Sequence, residues 1–284
     1  MNYELIDTGD GRRLEKFGDY VLDRPDPEVL WKKSLSESDW EKADARFDNP
    51  PNGGQAKWIK NIPIPDKWVI NHNDIKFLAR LTPFKHTGIF PEQSVQWDYI
   101  YKKIESEKRE IKVLNLFAYT GIATLFAAKT GAKVTHVDAS RPAVTWANEN
   151  RELNGMQDAP VRWIVDDVLK FTEREVKRGN KYDVILMDPP VYGHGPTGTS
   201  WDFNRDFAKL LENCRNIISG NPLFVQVNAY AISSSSTTLA NTLQGIFGDL
   251  GGSVENGELA LKETSGDRLL STGIWARWST DVVK

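Results

Sequence analysis

One cysteine in 284 residues excludes an intramolecular disulfide framework. With no signal-like N-terminus it points to a reducing compartment, so a cytoplasmic protein is expected. No apolar run reaches the ~20 residues that span a bilayer, and no membrane partner is expected. His72, His86, His136 and His194 are scattered without metal-ligand spacing, so no metal is expected either. Excess positive charge is also missing: the net charge is −3 and the isoelectric point near 5.9, which leaves no global basic field to draw in nucleic acid. Lys102, Lys103, Lys108, Arg109 and Lys112 alternate with Glu105, Glu107 and Glu110 and are read as a solvated helix face. What the chain does have is apolar content, 40% of its residues, enough for one large domain and an extension.

Residues 113–140, VLNLFAYTGIATLFAAKTGAKVTHVDAS, carry the most information. A strand-length apolar run is followed by a turn, a stretch of helical periodicity, and a β-branched run closed by Asp138. In a parallel α/β sheet the turn and this acid face one crevice at the carboxyl ends of the strands, where a carboxylate suits the two hydroxyls of a ribose. The turn contains one glycine, Gly121, and Tyr119 and Thr120 crowd the space that a pyrophosphate needs. NAD and FAD therefore fit poorly. S-adenosyl-L-methionine has no phosphate, and its sulfonium is compatible with an aromatic face such as Phe117 or Tyr119. An ordinary βαβ unit, with Gly121 only shaping a turn, is the alternative at this stage.

The segment resembles motif I of class I methyltransferases, in which the loop after the first strand lies against the methionine part and the acid after the second holds the ribose. Residues 161–165 read as a third strand followed by Asp166, Asp167 and Val168. The resemblance implies an adenine contact there, with Asp167 preferred and Asp166 its competitor. Residues 182–187 form a fourth apolar run ending in Asp188, Pro189, Pro190, Val191 and Tyr192. An Asp at a strand end can accept a hydrogen bond from a substrate N–H, while two prolines fix the chain behind it. The string is similar to the Asn/Asp-Pro-Pro-aromatic motif of amino-group and ring-nitrogen methyltransferases, with Tyr192 one place late. Asp188, Pro189, Pro190 and Tyr192 are the catalytic candidates.

A more specific likeness rests on residues 86–97 (HTGIFPEQSVQW), 115–121, 148–155 (NENRELNG), 188–193 (DPPVYG) and 195–201 (GPTGTSW). These resemble bacterial methyltransferases related to those that modify bases of large-subunit ribosomal RNA. The resemblance implies a cofactor site of Phe90, Gln93, Asn115, Phe117, Ala118, Tyr119, Thr120, Gly121, Asp138, Ala139, Ser140, Asp167, Val168 and Asp188. It also implies an RNA substrate. Cys214, in an amphipathic helix away from the Asp-Pro-Pro loop, is read as a core thiol rather than the nucleophile that carbon-5 methylation needs, so nitrogen is favoured as acceptor. The acidic isoelectric point keeps a protein side chain or small molecule open as substrate, and a non-catalytic cofactor-binding module remains a further alternative. The oligomeric state stays open.

The expected architecture is α/β: a Rossmann-like class I methyltransferase sheet with a terminal antiparallel hairpin, over residues 81–284, plus a small β-rich N-terminal extension over residues 1–80. In the extension, alternating runs separated by Gly9-Asp10-Gly11 and Gly18-Asp19 predict an antiparallel meander, with Trp31 as an anchor and a loop at 50–55. The glycine-rich stretch 192–200 is expected to form a lid, with His194 a weak candidate proton acceptor and Trp201 opening the next helix.

Overall fold

A computed structural model describes residues 1–49, 55–195 and 198–281. Most of the predicted loop at 50–55, and Pro196 and Thr197 of the glycine-rich stretch, lie outside the described residues. The chain divides into two units, each discontinuous in sequence: Met1–Ser94 with Ala260–Thr272, and Val95–Leu259 with Gly273–Lys284.

In the first unit, β1 (Tyr3–Gly9), β2 (Arg12–Phe17) and β3 (Tyr20–Pro25) form the predicted meander. Its first turn uses positive φ at Asp10 (51°) and Gly11 (73°), which matches the twist of a tight hairpin. Trp31 does anchor the irregular stretch that follows, its indole N–H donating to Thr8 Oγ1 at 2.8 Å. A one-turn helix α1 (Glu37–Trp40) then leads to β4 (Ala45–Asp48), which joins β3 in parallel. β5 (Lys57–Lys60) completes a five-stranded sheet. β6 (Trp68–His72) and β7 (Ile75–Ala79) make a separate hairpin.

The second unit opens with α2 (Ser94–Glu105) and then alternates: β8 (Lys112–Leu116), α3 (Ile122–Lys129), β9 (Lys133–Asp138), α4 (Arg141–Leu153), β10 (Val161–Val165), α5 (Val168–Arg178), β11 (Val184–Met187). Next come a two-stranded hairpin of β12 (Tyr192–His194) and β13 (Ser200–Asp202), then α6 (Phe203–Ile217), β14 (Phe224–Ala229), α7 (Ser236–Phe247), and the terminal pair β15 (Ser253–Lys262) and β16 (Leu269–Ser279). The seven-stranded sheet runs β10-β9-β8-β11-β14-β16-β15, parallel as far as β14 and antiparallel at β16.

Both faces of this sheet are covered, which is why the central strand β11, Val184–Met187, reads as an unbroken apolar run. Ile185, Met187, Val225 and Val227 pack with Phe171, Leu210 and Leu243 of α5, α6 and α7. Val113, Val184, Leu186 and Phe224 pack with Ile100, Ile104 and Ala127 of α2 and α3. Strand order reverses between β8 and β11, so the crevice of an open α/β sheet falls at their carboxyl ends.

Candidate cofactor and acceptor site

Three backbone positions in the turn after β8 sit in the left-handed region: Phe117 at φ 53°, Tyr119 at 47° and Gly121 at 78°. For the two aromatic residues this conformation is strained and persists only where the surroundings fix it. They do so here through Ala118 N–H to Val137 O (3.1 Å), Tyr119 N–H to Asp138 Oδ2 (2.8 Å) and Gly121 N–H to Ala118 O (2.9 Å). Asn150 of α4 adds a bond from Nδ2 to the Thr120 carbonyl at 2.9 Å. Gly121 is required for space as well, because a Cβ there would lie 2.8 Å from Ala147 Cβ. Asn150 was not singled out as a site residue from sequence, although it lies within the NENRELNG string.

Asp138 ends β9 beside this turn. Oδ2 takes the Tyr119 N–H, and Oδ1 takes the Ser140 N–H at 2.8 Å. Each carboxylate oxygen has further acceptor capacity. Burial raises the Asp138 pKa, and the two backbone N–H groups only partly offset it. The charged form is thus under-solvated in a way that two ribose hydroxyls would relieve. Ser140 also caps α4 through its hydroxyl, and Ala139 lies between the two.

Asn115 is placed beneath the turn, not in it. Buried in β8, it donates from Nδ2 to Thr124 Oγ1 at 2.9 Å, and that hydroxyl lies 3.0 Å from His136 Nδ1. Burial holds His136 down at about 3, so the ring is neutral and the network is internal support for the turn. On the third strand, Asp166 is paired with Arg174, whereas Asp167 caps α5 by accepting from Lys170 N at 3.0 Å. The other Asp167 oxygen, Oδ2, accepts from Thr199 Oγ1 at 2.6 Å. Val168 is the first, buried residue of α5.

Asp188 stands one residue past β11, next to the turn. Leu116 is in register with Met187, and the Asp188 N–H reaches the Leu116 carbonyl at 3.3 Å. Pro189 is buried and Pro190 exposed, and the Pro190 carbonyl accepts from the Trp201 indole at 2.7 Å. The Trp201 ring also meets Phe117 edge-on at 4.8 Å, tying the two loops together. Two expectations change here. The stretch read as a glycine-rich loop carries a short antiparallel pair, Tyr192 opposite Asp202 and His194 opposite Ser200. Trp201 lies in β13, and α6 starts after the cap Asp202.

Tyr192 is 71% exposed on β12 and His194 is exposed. Phe90 and Gln93 belong to the first unit, at a 3-10 turn where the Gln93 N–H meets the Phe90 carbonyl at 3.0 Å. Cys214 is fully buried in α6 and burial pushes its thiol well up, which suits a core residue and not a nucleophile. Among the described residues no cluster of His, Cys, Asp and Glu can hold a metal ion, and no helix is long and apolar enough to cross a membrane.

A protein from Agrobacterium tumefaciens, solved as a SAM-dependent methyltransferase, is 39% identical and superposes with a TM-score of 0.95, covering 99% of this chain and 91% of its own. A ribosomal RNA large subunit methyltransferase K/L of Shewanella frigidimarina is 38% identical over 149 residues, 51% of this chain and 20% of that protein. The corresponding K protein of Neisseria meningitidis is 30% identical over 59% of this chain and 47% of its own length. The chain thus spans less than half the length of either relative. A family profile described as S-adenosylmethionine-dependent methyltransferase matches residues 45–244. The profile match and the likeness to the Agrobacterium protein place the chain in the family of S-adenosylmethionine-dependent methyltransferases.

Proposed function

We propose that this enzyme methylates a nitrogen of a base in structured RNA, in the cytoplasm, with Asp188 holding the acceptor. The observation that carries the reading is the position of Asp188, level with the strained Phe117–Tyr119 turn at the reversal of strand order. Bound S-adenosyl-L-methionine supplies an electrophilic methyl group on its sulfonium. The chain's own task is then orientation, since in-line transfer needs the nucleophile's lone pair aimed at that methyl. Asp138 takes the ribose diol, Asp167 the adenine end, and the backbone of the turn from Phe117 to Gly121 the methionine part. Asp188 accepts an N–H from the acceptor nitrogen and fixes its rotation. Pro189 and Pro190 hold that carboxylate in place, with Trp201 anchoring Pro190. Tyr192, exposed on the neighbouring hairpin, is available to stack on a base at the entrance.

The RNA part draws support from the relatives named for ribosomal RNA methylation. The test is incubation with methyl-tritiated S-adenosylmethionine and an extract from cells lacking the protein, followed by nuclease or protease digestion. Counts released by nuclease, and lost with Asp188→Ala, are expected. Counts released only by protease, or found in small molecules, overturn the RNA reading.

A further inference from the structure

Two amides on one face of β14 are treated differently by the fold. β14 runs parallel to β11, with Leu186 opposite Gln226 and Met187 opposite Val227. Asn228 therefore stands level with Asp188 at the carboxyl edge, and strand alternation puts both on the same face. Gln226, one step down that face, is engaged: Arg277 Nη1 donates to it at 3.4 Å and to Gln96 at 3.2 Å, while Nη2 reaches Glu255 at 2.7 Å. Asn228 is 5% exposed, yet its Oδ1 meets no donor among the described residues. Opposite it on β16 stands the half-buried ring of Trp275.

A buried carbonyl oxygen without a donor destabilises the fold, and an aliphatic side chain would fill the place better. Such a group is retained where a ligand completes it. We propose that Asn228 is a specificity-determining residue of the acceptor site, accepting a second N–H from the substrate beside the one held by Asp188. The acceptor then presents two neighbouring N–H groups on one planar edge, as a ring amide next to an amino group does. This rests on the assignment of Asp188 as the holder of the acceptor nitrogen.

Asn228→Leu keeps the branching and the number of side-chain heavy atoms while removing the amide, and Asn228→Ala is its companion. Each is compared with the wild type for methyl transfer onto whichever extract fraction the wild type labels. Affinity for S-adenosylhomocysteine and melting temperature are measured alongside. Both variants are expected to raise the acceptor KM at least about tenfold with cofactor affinity unchanged. Asn228→Leu is expected to melt no lower than the wild type, which a merely structural amide would not allow. An unchanged KM overturns the proposal, as does a joint loss of cofactor affinity, KM and melting temperature. Full activity in Asp188→Ala alongside a raised KM in Asn228→Leu removes the role of Asp188 and overturns the paired recognition, leaving Asn228 as a lone substrate contact. A wild type that labels no fraction removes both.

Discussion

Asp7 in the first unit and Asp138 in the second are both withdrawn from water, and the fold handles them in opposite ways. Asp7, fully buried, accepts from the backbone N–H of Ser34 and Leu35, from the Trp40 indole and from the Ser265 hydroxyl, with Arg268 beside it. Burial alone would raise its pKa, but these donors outweigh burial and hold it below the ordinary range. Asp138 has two backbone donors, and burial wins. Glu15 repeats the first pattern, saturated by Arg24 at 2.7 and 2.8 Å and by the Tyr3 hydroxyl at 2.8 Å. A saturated carboxylate is part of the fold, whereas one at a strand's carboxyl end with acceptor capacity left over suits the ribose role proposed for Asp138.

The largest effect that tests this contrast is on stability. Asp7→Ala leaves several buried donors without a partner, each worth about 1–3 kcal/mol, for a total loss of about 4 kcal/mol. Asp138→Ala strands only two backbone N–H groups near solvent and is expected to lose about 1 kcal/mol. Urea unfolding of both variants makes the comparison, and equal losses would break it. Because the folded Asp7 pKa lies below its unfolded value, its stabilisation is present above the unfolded pKa and disappears as pH falls through the folded one.

Function reverses the order. Asp188→Ala is expected to lower kcat about 100-fold, close to 2.7 kcal/mol of transition-state orientation, with cofactor affinity within about twofold. A change confined to cofactor affinity would reassign Asp188 to the cofactor. Asp138→Ala is expected to weaken S-adenosylhomocysteine binding by about 10- to 30-fold, the worth of a charge-assisted hydrogen-bonded pair, in titration calorimetry. An unchanged affinity would show that the acid after β9 is as structural as Asp7.

The sequence makes the second unit more legible than the first. Its parallel strands and helices alternate in long runs whose periodicity comes from being buried on both faces, and the acid after β9 follows from that order. β4 escapes the same reasoning. Its four residues, ARFD, hold no strong strand pattern, and they pair with β3 in parallel across a long separation in the chain. The share of the C-terminal hairpin that joins the first unit is equally invisible, since the bridge between Leu5 and Glu263 is a purely tertiary fact. The pairing of β12 with β13 escapes the sequence because each strand is three residues long, too short to show an alternating pattern. Asn228 shows the limit most plainly. In the string VQVNAY it is an unremarkable strand end, and only the register with β11 puts it beside Asp188.

The smallest predicted effect is also the sharpest separation of Asp7 from Asp138. The folded Asp138 pKa is raised above the ordinary aspartate value of 3.8 by burial. Its ionisation therefore opposes folding of the cofactor-free protein, and that opposition is relieved as pH falls through the raised pKa. Cofactor binding runs the other way, because the ribose hydroxyls need the charged acceptor. Affinity for S-adenosylhomocysteine is expected to hold near neutrality, then to weaken as pH falls through the same pKa, by up to about tenfold per pH unit below it. In calorimetry the midpoint lies above 3.8 and binding near it is accompanied by proton release. Asp138→Asn, which cannot titrate, flattens the profile at a weaker affinity, while Asp7→Asn leaves the binding profile as it was, lowers stability above the unfolded aspartate pKa and flattens its acid limb. A midpoint at or below 3.8, or a profile that Asp138→Asn does not flatten, would mean that Asp138 is already satisfied by its two backbone donors.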